Sequence, residues 1–261
     1  MNCISTKNLN ISYGNLDIVK DLNLDIPKGK ITTIIGSNGC GKSTILKTIA
    51  RIIQPKSGDI YVNDKNMKEQ NPKDLAKTMA VLPQSPTAPS GLTVEELIAY
   101  GRFPHQKGFG KLKNEDKDIV TWALKSTGIE EFRDRTMEAL SGGQRQRAWI
   151  AMALAQQTNI LILDEPTTYL DLAHQLEVLK LLEELNRKQG TTIVMVIHEL
   201  NNAARFADHM IGVKKGEVVC QGSAYEVMTK ENLRELFNID AEIVSDPRTN
   251  KPVCITYDMV I

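Results

Sequence analysis

The chain has 261 residues, 32 Lys+Arg balanced by 32 Asp+Glu, and 41% hydrophobic residues. That length holds one large α/β domain, or a domain with a lobe inserted into it, and the composition is ordinary for a soluble globular protein. A net charge of zero argues against nucleic acid as the main partner, because neutralising phosphates takes a basic surplus; a local basic patch stays open.

The cysteines Cys3, Cys40, Cys220 and Cys254 show no paired close spacing, so they read as reduced thiols rather than a disulfide framework or a zinc site. Residues 1–7 are polar and lack the apolar core of a signal peptide. Apolar runs such as residues 193–197 are too short to cross a bilayer. The expected location is the cytoplasm, with docking on a membrane protein allowed.

Taken along the chain, residues 3–64 read as antiparallel strands with turns at Gly14-Asn15 and Lys28-Gly29. The β-branched run "KITTIIG" (residues 30–36) is a buried strand, and "KSTILKTIAR" after it has helical character. Residues 90–157 are mostly helical. Thr93 and Glu96 form a capping box, "NEDKDIVTWALKSTG" is an amphipathic helix closing at Gly128, and "HQKGFGK" (105–111) is a Gly/Lys loop. Ile150, Ala153 and Leu154 mark a helix that follows Ser141. "NILILDEP" (159–166) and "TTIVMVIH" (191–198) are two further buried strands. Between them Leu172, Leu176, Leu179, Leu182 and Leu185 form a helical stripe stopped by Gly190. The tail beyond Gly222 reads as a short helical and irregular appendage. One domain spans residues 1–261, with a core at about 1–88 and 158–222, a helical lobe at about 89–157 and the appendage at about 223–261.

"GSNGCGKST" (residues 36–44) fits the phosphate-loop pattern and stands between strand and helix, the setting that pattern requires. Gly36, Gly39 and Gly41 let backbone N–H groups turn inward around phosphate oxygens, and Ser37, Asn38 and Cys40 contribute theirs. The following helix aims its positive end at the same point. Lys42 supplies a cation for the β- and γ-phosphates, Ser43 a hydroxyl for Mg²⁺, and Thr44 completes the motif. Asp164 ends an apolar strand and suits the metal, while Glu165 suits a general base for attacking water; a plain cap of the next helix is the alternative for the pair. Cys40, between loop glycines, is expected to be shielded from thiol reagents by ATP, with a buried inert thiol as the alternative.

Residues 138–157, "EALSGGQRQRAWIAMALAQQ", open a helix on two glycines. A flexible turn is one explanation. The other is a second anion cradle made of Ser141, Gly142 and Gly143: free amides, no Cβ obstruction, a favourable dipole. One nucleotide does not need two cradles far apart in one chain. Two copies packed head to tail would let the loop of one and the cap of the other enclose each ATP, closing with the γ-phosphate and opening after hydrolysis.

At these residues the chain resembles the nucleotide-binding subunits of ATP-binding cassette (ABC) transporters. "LSGGQRQR" (140–147) matches the family signature, in company with the phosphate loop and "LILDEP". The resemblance covers about residues 3–222 and implies an α/β fold: a P-loop NTPase (RecA-like) core with an N-terminal antiparallel β subdomain and an inserted helical subdomain. It also implies that Tyr13 stacks on adenine and that Gln84 joins core to lobe and reaches metal or water. By the same resemblance Ser141, Gly142, Gly143 and Gln144 contact nucleotide, residues 169–171 meet the partner subunit, and His198 contacts the γ-phosphate. A helix-capping role for Asp171 is compatible with this, and a core histidine is the alternative for His198. The catalytic set so implied is Glu165, His198, Gln84 and Lys42; the metal set is Ser43, Gln84 and Asp164; the cofactors are ATP and Mg²⁺.

"AYGRFPH" (99–105), residues 198–222 and residues 238–255 look like importers of iron–siderophore complexes, haem and vitamin B12. Glu199 departs from the commoner aspartate, and Cys40 from a usually small residue. The partners so implied are a second copy and an integral membrane permease at the cytoplasmic face of the membrane, with a substrate-binding protein involved only indirectly and no nucleic acid. A chromosome or DNA-repair ATPase shares the signature, but the chain has no heptad run. A GTP switch is disfavoured because "NPKD" (71–74) has the wrong order for a guanine motif.

Overall fold

The computed structural model describes residues 1–106 and 112–260, so most of the Gly/Lys loop expected at 105–111 lies outside the described residues. In chain order the strands and helices begin with β1 (Asn2–Tyr13), β2 (Leu16–Leu22), β3 (Asp25–Pro27), β4 (Ile31–Ile35), α1 (Lys42–Ile49), β5 (Ser57–Val62) and β6 (Lys65–Asn66). There follow α2 (Pro72–Thr78), β7 (Met79–Leu82), α3 (Val94–Tyr100), α4 (Asn114–Ser126), α5 (Gly142–Ala155), β8 (Ile160–Asp164) and α6 (Leu172–Gln189). The chain continues through β9 (Thr192–Val196), α7 (Leu200–Phe206), β10 (His209–Lys214), β11 (Glu217–Gly222), α8 (Ala224–Val227), α9 (Lys230–Phe237), β12 (Ile239–Ser245) and β13 (Pro252–Met259). The contacts divide it into two units, residues 1–70 with 186–261 and residues 71–185.

In the first unit, β2, β1, β5 and β6 form an antiparallel sheet with β3 also on β1. The turns expected at Gly14-Asn15 and Lys28-Gly29 are present. A second sheet has β4 parallel to both β9 and β10, and β10 antiparallel to β11. Every residue of β4 and β9 is buried, as a parallel strand covered on both faces requires. Each such isoleucine or valine contributes about 1.5–3 kcal/mol of burial.

The tail corrects the expectation of a helical and irregular appendage. After α8 and α9 it forms an antiparallel hairpin, β12 with β13. Only one face of that hairpin is covered: Ile239 and Ala241 are buried between exposed neighbours, as are Pro252 and Cys254 with theirs more open. Pro252 stands at the first position of its strand, where a missing N–H is tolerated, and that proline disguises the strand in the sequence. Asn201 fastens the hairpin, donating from Nδ2 to the Cys254 carbonyl (3.0 Å) and accepting from the Cys254 N–H (2.9 Å).

In the second unit β7 runs parallel to β8, and α3, α4 and α5 pack on one another. The Thr93/Glu96 capping box at α3 is present. Arg102, just past α3, is buried: its guanidinium donates to Asp116 of α4 (2.8 Å), to the Ala155 carbonyl (2.8 Å) and to Gln157 (3.1 Å). Burial pushes the Asp116 carboxyl up, but the Arg102 hydrogen bond, the Lys113 amide and the guanidinium charge outweigh it and hold the group below its ordinary range. Among the described residues no helix is long and apolar enough to cross a membrane.

Candidate nucleotide site

In the first unit the loop of residues 36–44 joins β4 to α1. Gly36 (φ +152°) leaves the strand where an added Cβ would stand 2.1 Å from the Val213 carbonyl oxygen, so no other residue fits. Ser37, Asn38 and Gly39 form an exposed crest, while Gly36, Cys40, Gly41 and Lys42 form a buried base. Gly41 (φ +106°) is the residue before α1, and Ser43 and Thr44 in its first turn are part-exposed. The Lys42 ammonium donates to the Gly36 and Ser37 carbonyls, both at 2.9 Å. Cys40 is buried, with Sγ 3.9 Å from Lys42 Nζ, the burial that an inert thiol would have. Burial pushes the thiols of Cys3, Cys220 and Cys254 up, and all four cysteines are free.

Tyr13 stands at the end of β1 with 50% of its surface exposed. His198 is exposed on the bend between β9 and α7, so it is not a core histidine. A cavity of about 440 Å³ beside it is lined by His198, Glu199, Leu200, Phe237, Ile239 and Tyr257 among others.

In the second unit the register Leu82↔Leu163 brings level the residues two places further on, Gln84 and Glu165. Gln84 Nε2 donates to Glu165 Oε2 at 2.5 Å, and Thr168 Oγ1 donates to the same oxygen at 3.0 Å. Glu165 adopts a left-handed backbone (φ +53°), which turns the chain sharply off β8. Asp164, the last residue of that buried strand, is 5% exposed. The two carboxylates therefore differ in setting: one is deep in the strand, the other part-exposed and held by an amide and a hydroxyl.

Ser141 caps α5. Its Oγ accepts from the Gln144 N–H (3.3 Å), and Gln144 Oε1 accepts from the Ser141 N–H (3.0 Å). This box occupies the Gln144 amide and leaves the amides of Gly142 and Gly143 as first-turn donors with no acceptor inside the helix. Gly142 is exposed and Gly143 buried. Asp171 does cap the next helix, accepting from the His174 N–H at 2.9 Å. The sequence reading missed Thr168, His174 and Asn201. Thr168 and His174 lie three residues from Glu165 and Asp171, a spacing too common to single them out, while Asn201 acts on Cys254, which only the fold brings near.

A family model described as ABC transporter matches residues 19–168. The chain is 64% identical over its whole length to the iron(3+)-hydroxamate import ATP-binding protein FhuC of Bacillus subtilis, covering 97% of that protein. It is 48% identical to the petrobactin import ATP-binding protein FpuD of Bacillus anthracis, over 97% of this chain and 93% of that one. A dimeric ATP-binding cassette solved in a post-hydrolysis state with ADP and Pi superposes with a TM-score of 0.74 at 31% identity, over 84% of this chain and 98% of that one. With a phosphate loop on a buried strand, a carboxylate pair ending another and a serine–glycine cap on α5, the chain belongs to the ABC transporter family, as one of its ATP-hydrolysing cassettes.

Proposed function

We propose that this chain energises uptake of an iron–siderophore-type chelate through a membrane permease, with two copies closing head to tail on two MgATP. Identity of 64% along the whole chain to an iron-hydroxamate import subunit supports the cargo class. The observation that carries the chemistry is Glu165, held on one oxygen by Gln84 and Thr168 at the end of a buried strand.

Each residue has a part. The loop amides and Lys42 bind the phosphates. The Ser43 hydroxyl, the Asp164 carboxylate and the Gln84 amide oxygen are hard oxygen donors of the kind Mg²⁺ takes, and Gln84 bonds Glu165 through nitrogen, leaving its oxygen for a ligand. The ion, when bound, neutralises charge on the phosphoryl oxygens. Glu165 accepts the proton of the attacking water, and His198 contacts the γ-phosphate. Tyr13 stacks on adenine. Ser141, Gly142 and Gly143 of one copy, steadied by Gln144, donate to the γ-phosphate held by the other. The helical lobe, with Tyr100 and Phe103 exposed on it (55% and 63%), receives the permease at the cytoplasmic face of the membrane. A substrate-binding protein would meet the permease rather than this chain.

Glu165→Gln keeps the hydrogen bonds but removes the base. It is expected to bind ATP, to hydrolyse it on the order of a hundredfold or more slowly, and to sediment as a dimer in MgATP. Monomer with full turnover would overturn the mechanism. Purification from membranes in mild detergent should recover an integral membrane protein with the chain, and cells carrying Glu165→Gln should lose uptake of radiolabelled ferric hydroxamate.

A further inference from the structure

The cap of α5 is covered from behind by the turn that follows Glu165. A Cβ added at Gly142 would touch Leu170 Cδ2 at 3.8 Å. A Cβ at Gly143 would meet the His174 ring at 2.7 Å from Cδ2, 3.1 Å from Cγ and 3.4 Å from Nε2. Those separations fall inside van der Waals contact, so the imidazole fills the place that a side chain at residue 143 would take. The ring is fixed in turn. Asp171 Oδ1 lies 2.8 Å from His174 Nδ1 and also accepts the His174 N–H. Both hydrogen bonds favour the Asp171 carboxylate and hold it below its ordinary range. The same turn begins at Thr168, which holds Glu165.

Gly143 is thus a glycine for a packing reason as well as for its amide. Its φ is not in the left-handed region, so the helix itself does not demand glycine there. What demands it is a ring brought in by the first turn of α6. From this contact we propose that His174 is a positioning residue: pinned by Asp171, its imidazole backs Gly143 and fixes the direction in which the Gly142 and Gly143 amides point toward a γ-phosphate held by a second copy. The proposal rests on the reading of that cap as a partner-facing cradle. It gives the exposed turn at residues 169–171 a second task, since any movement of Asp171 is carried by the ring to the cap.

The test uses the full chain in the Glu165→Gln background. ATP binding to the monomer and the MgATP-dependent dimer dissociation constant are measured by fluorescence and sedimentation. His174→Ala is expected to leave monomer ATP binding unchanged and to weaken the dimer on the order of tenfold. His174→Asn, which keeps a planar group within reach of Asp171, should recover part of that loss, which a purely structural role in folding would not produce. A second readout is steric. Gly143→Ala should lower the thermal midpoint, and Gly143→Ala with His174→Ala should restore it, because the ring it strikes is gone. Failure of Glu165→Gln itself to dimerise in MgATP overturns both the cradle reading and this proposal. Dimerisation unaffected by His174→Ala, or a midpoint loss that persists in the double variant, overturns the role of His174 alone.

Discussion

Lys42 serves its own loop, and in the proposed mechanism it serves the phosphates as well. Its ammonium has three donors, and two of them are directed at the carbonyls of Gly36 and Ser37. The charge is therefore held at the base of the crest made by Ser37, Asn38 and Gly39. In the proposed site, Lys42→Ala removes a charge-assisted phosphate contact of about 1.5–3 kcal/mol. ATP affinity should fall on the order of tenfold to a hundredfold or more, while far-ultraviolet circular dichroism stays unchanged. His209 works in the opposite direction. It sits on β10 with Nε2 buried and lacking a hydrogen-bond partner, and burial pushes its pKa below the ordinary histidine value. The unfolded chain takes up that proton first, so the protein should lose stability as pH falls below about 6.5. His209→Gln should flatten this part of the curve in urea titrations between pH 7 and 5.

At the scale of elements, the helical lobe is pinned where α3, α4 and α5 meet by Arg102, whose side chain is 6% exposed, and Asp116, at 11%. Asp116→Ala leaves that guanidinium buried and unpaired, which costs about 3–5 kcal/mol. Chemical denaturation at pH 7 should show the loss. Because the carboxyl is held below its ordinary value, its stabilisation is complete above about pH 4 and is lost as pH falls through the folded value. The difference between wild type and Asp116→Asn should shrink over that acid range. The elements also show what a sequence can disclose. The phosphate loop was legible because strand, glycines and helix follow one another within residues 30–51, and the Thr93–Glu96 capping box was legible for the same reason. The Gln84–Glu165 bond was not, since it depends on the pairing of β7 with β8. Nor was the ring behind Gly143, which arrives on a different helix. The tail hairpin escaped notice because half of its residues face water and a proline opens one strand.

For the whole molecule, ligand binding and folding are linked. Nucleotide that binds only the folded chain should raise the unfolding free energy by about 2.7 kcal/mol at a hundred times its Kd. Calorimetry of Glu165→Gln with and without MgATP should show that gain, and Lys42→Ala should show little of it. Concentration dependence of the melting temperature in MgATP, absent without nucleotide, would mark the second copy's share. The likeness to the iron(3+)-hydroxamate import subunit runs through the tail as well, over the whole of this chain. There the amide of Asn201 grips both backbone atoms of Cys254 on the far strand. A proteolytic nick or shortened gene product lacking β13 would therefore leave that amide without its anchor, strip Cys254 and Tyr257 from the cavity wall, and wet the ground on which His198 stands. The final strand is a buttress for the cavity wall beside His198, and under the γ-phosphate role proposed for that residue, nucleotide turnover should fall when the strand is lost.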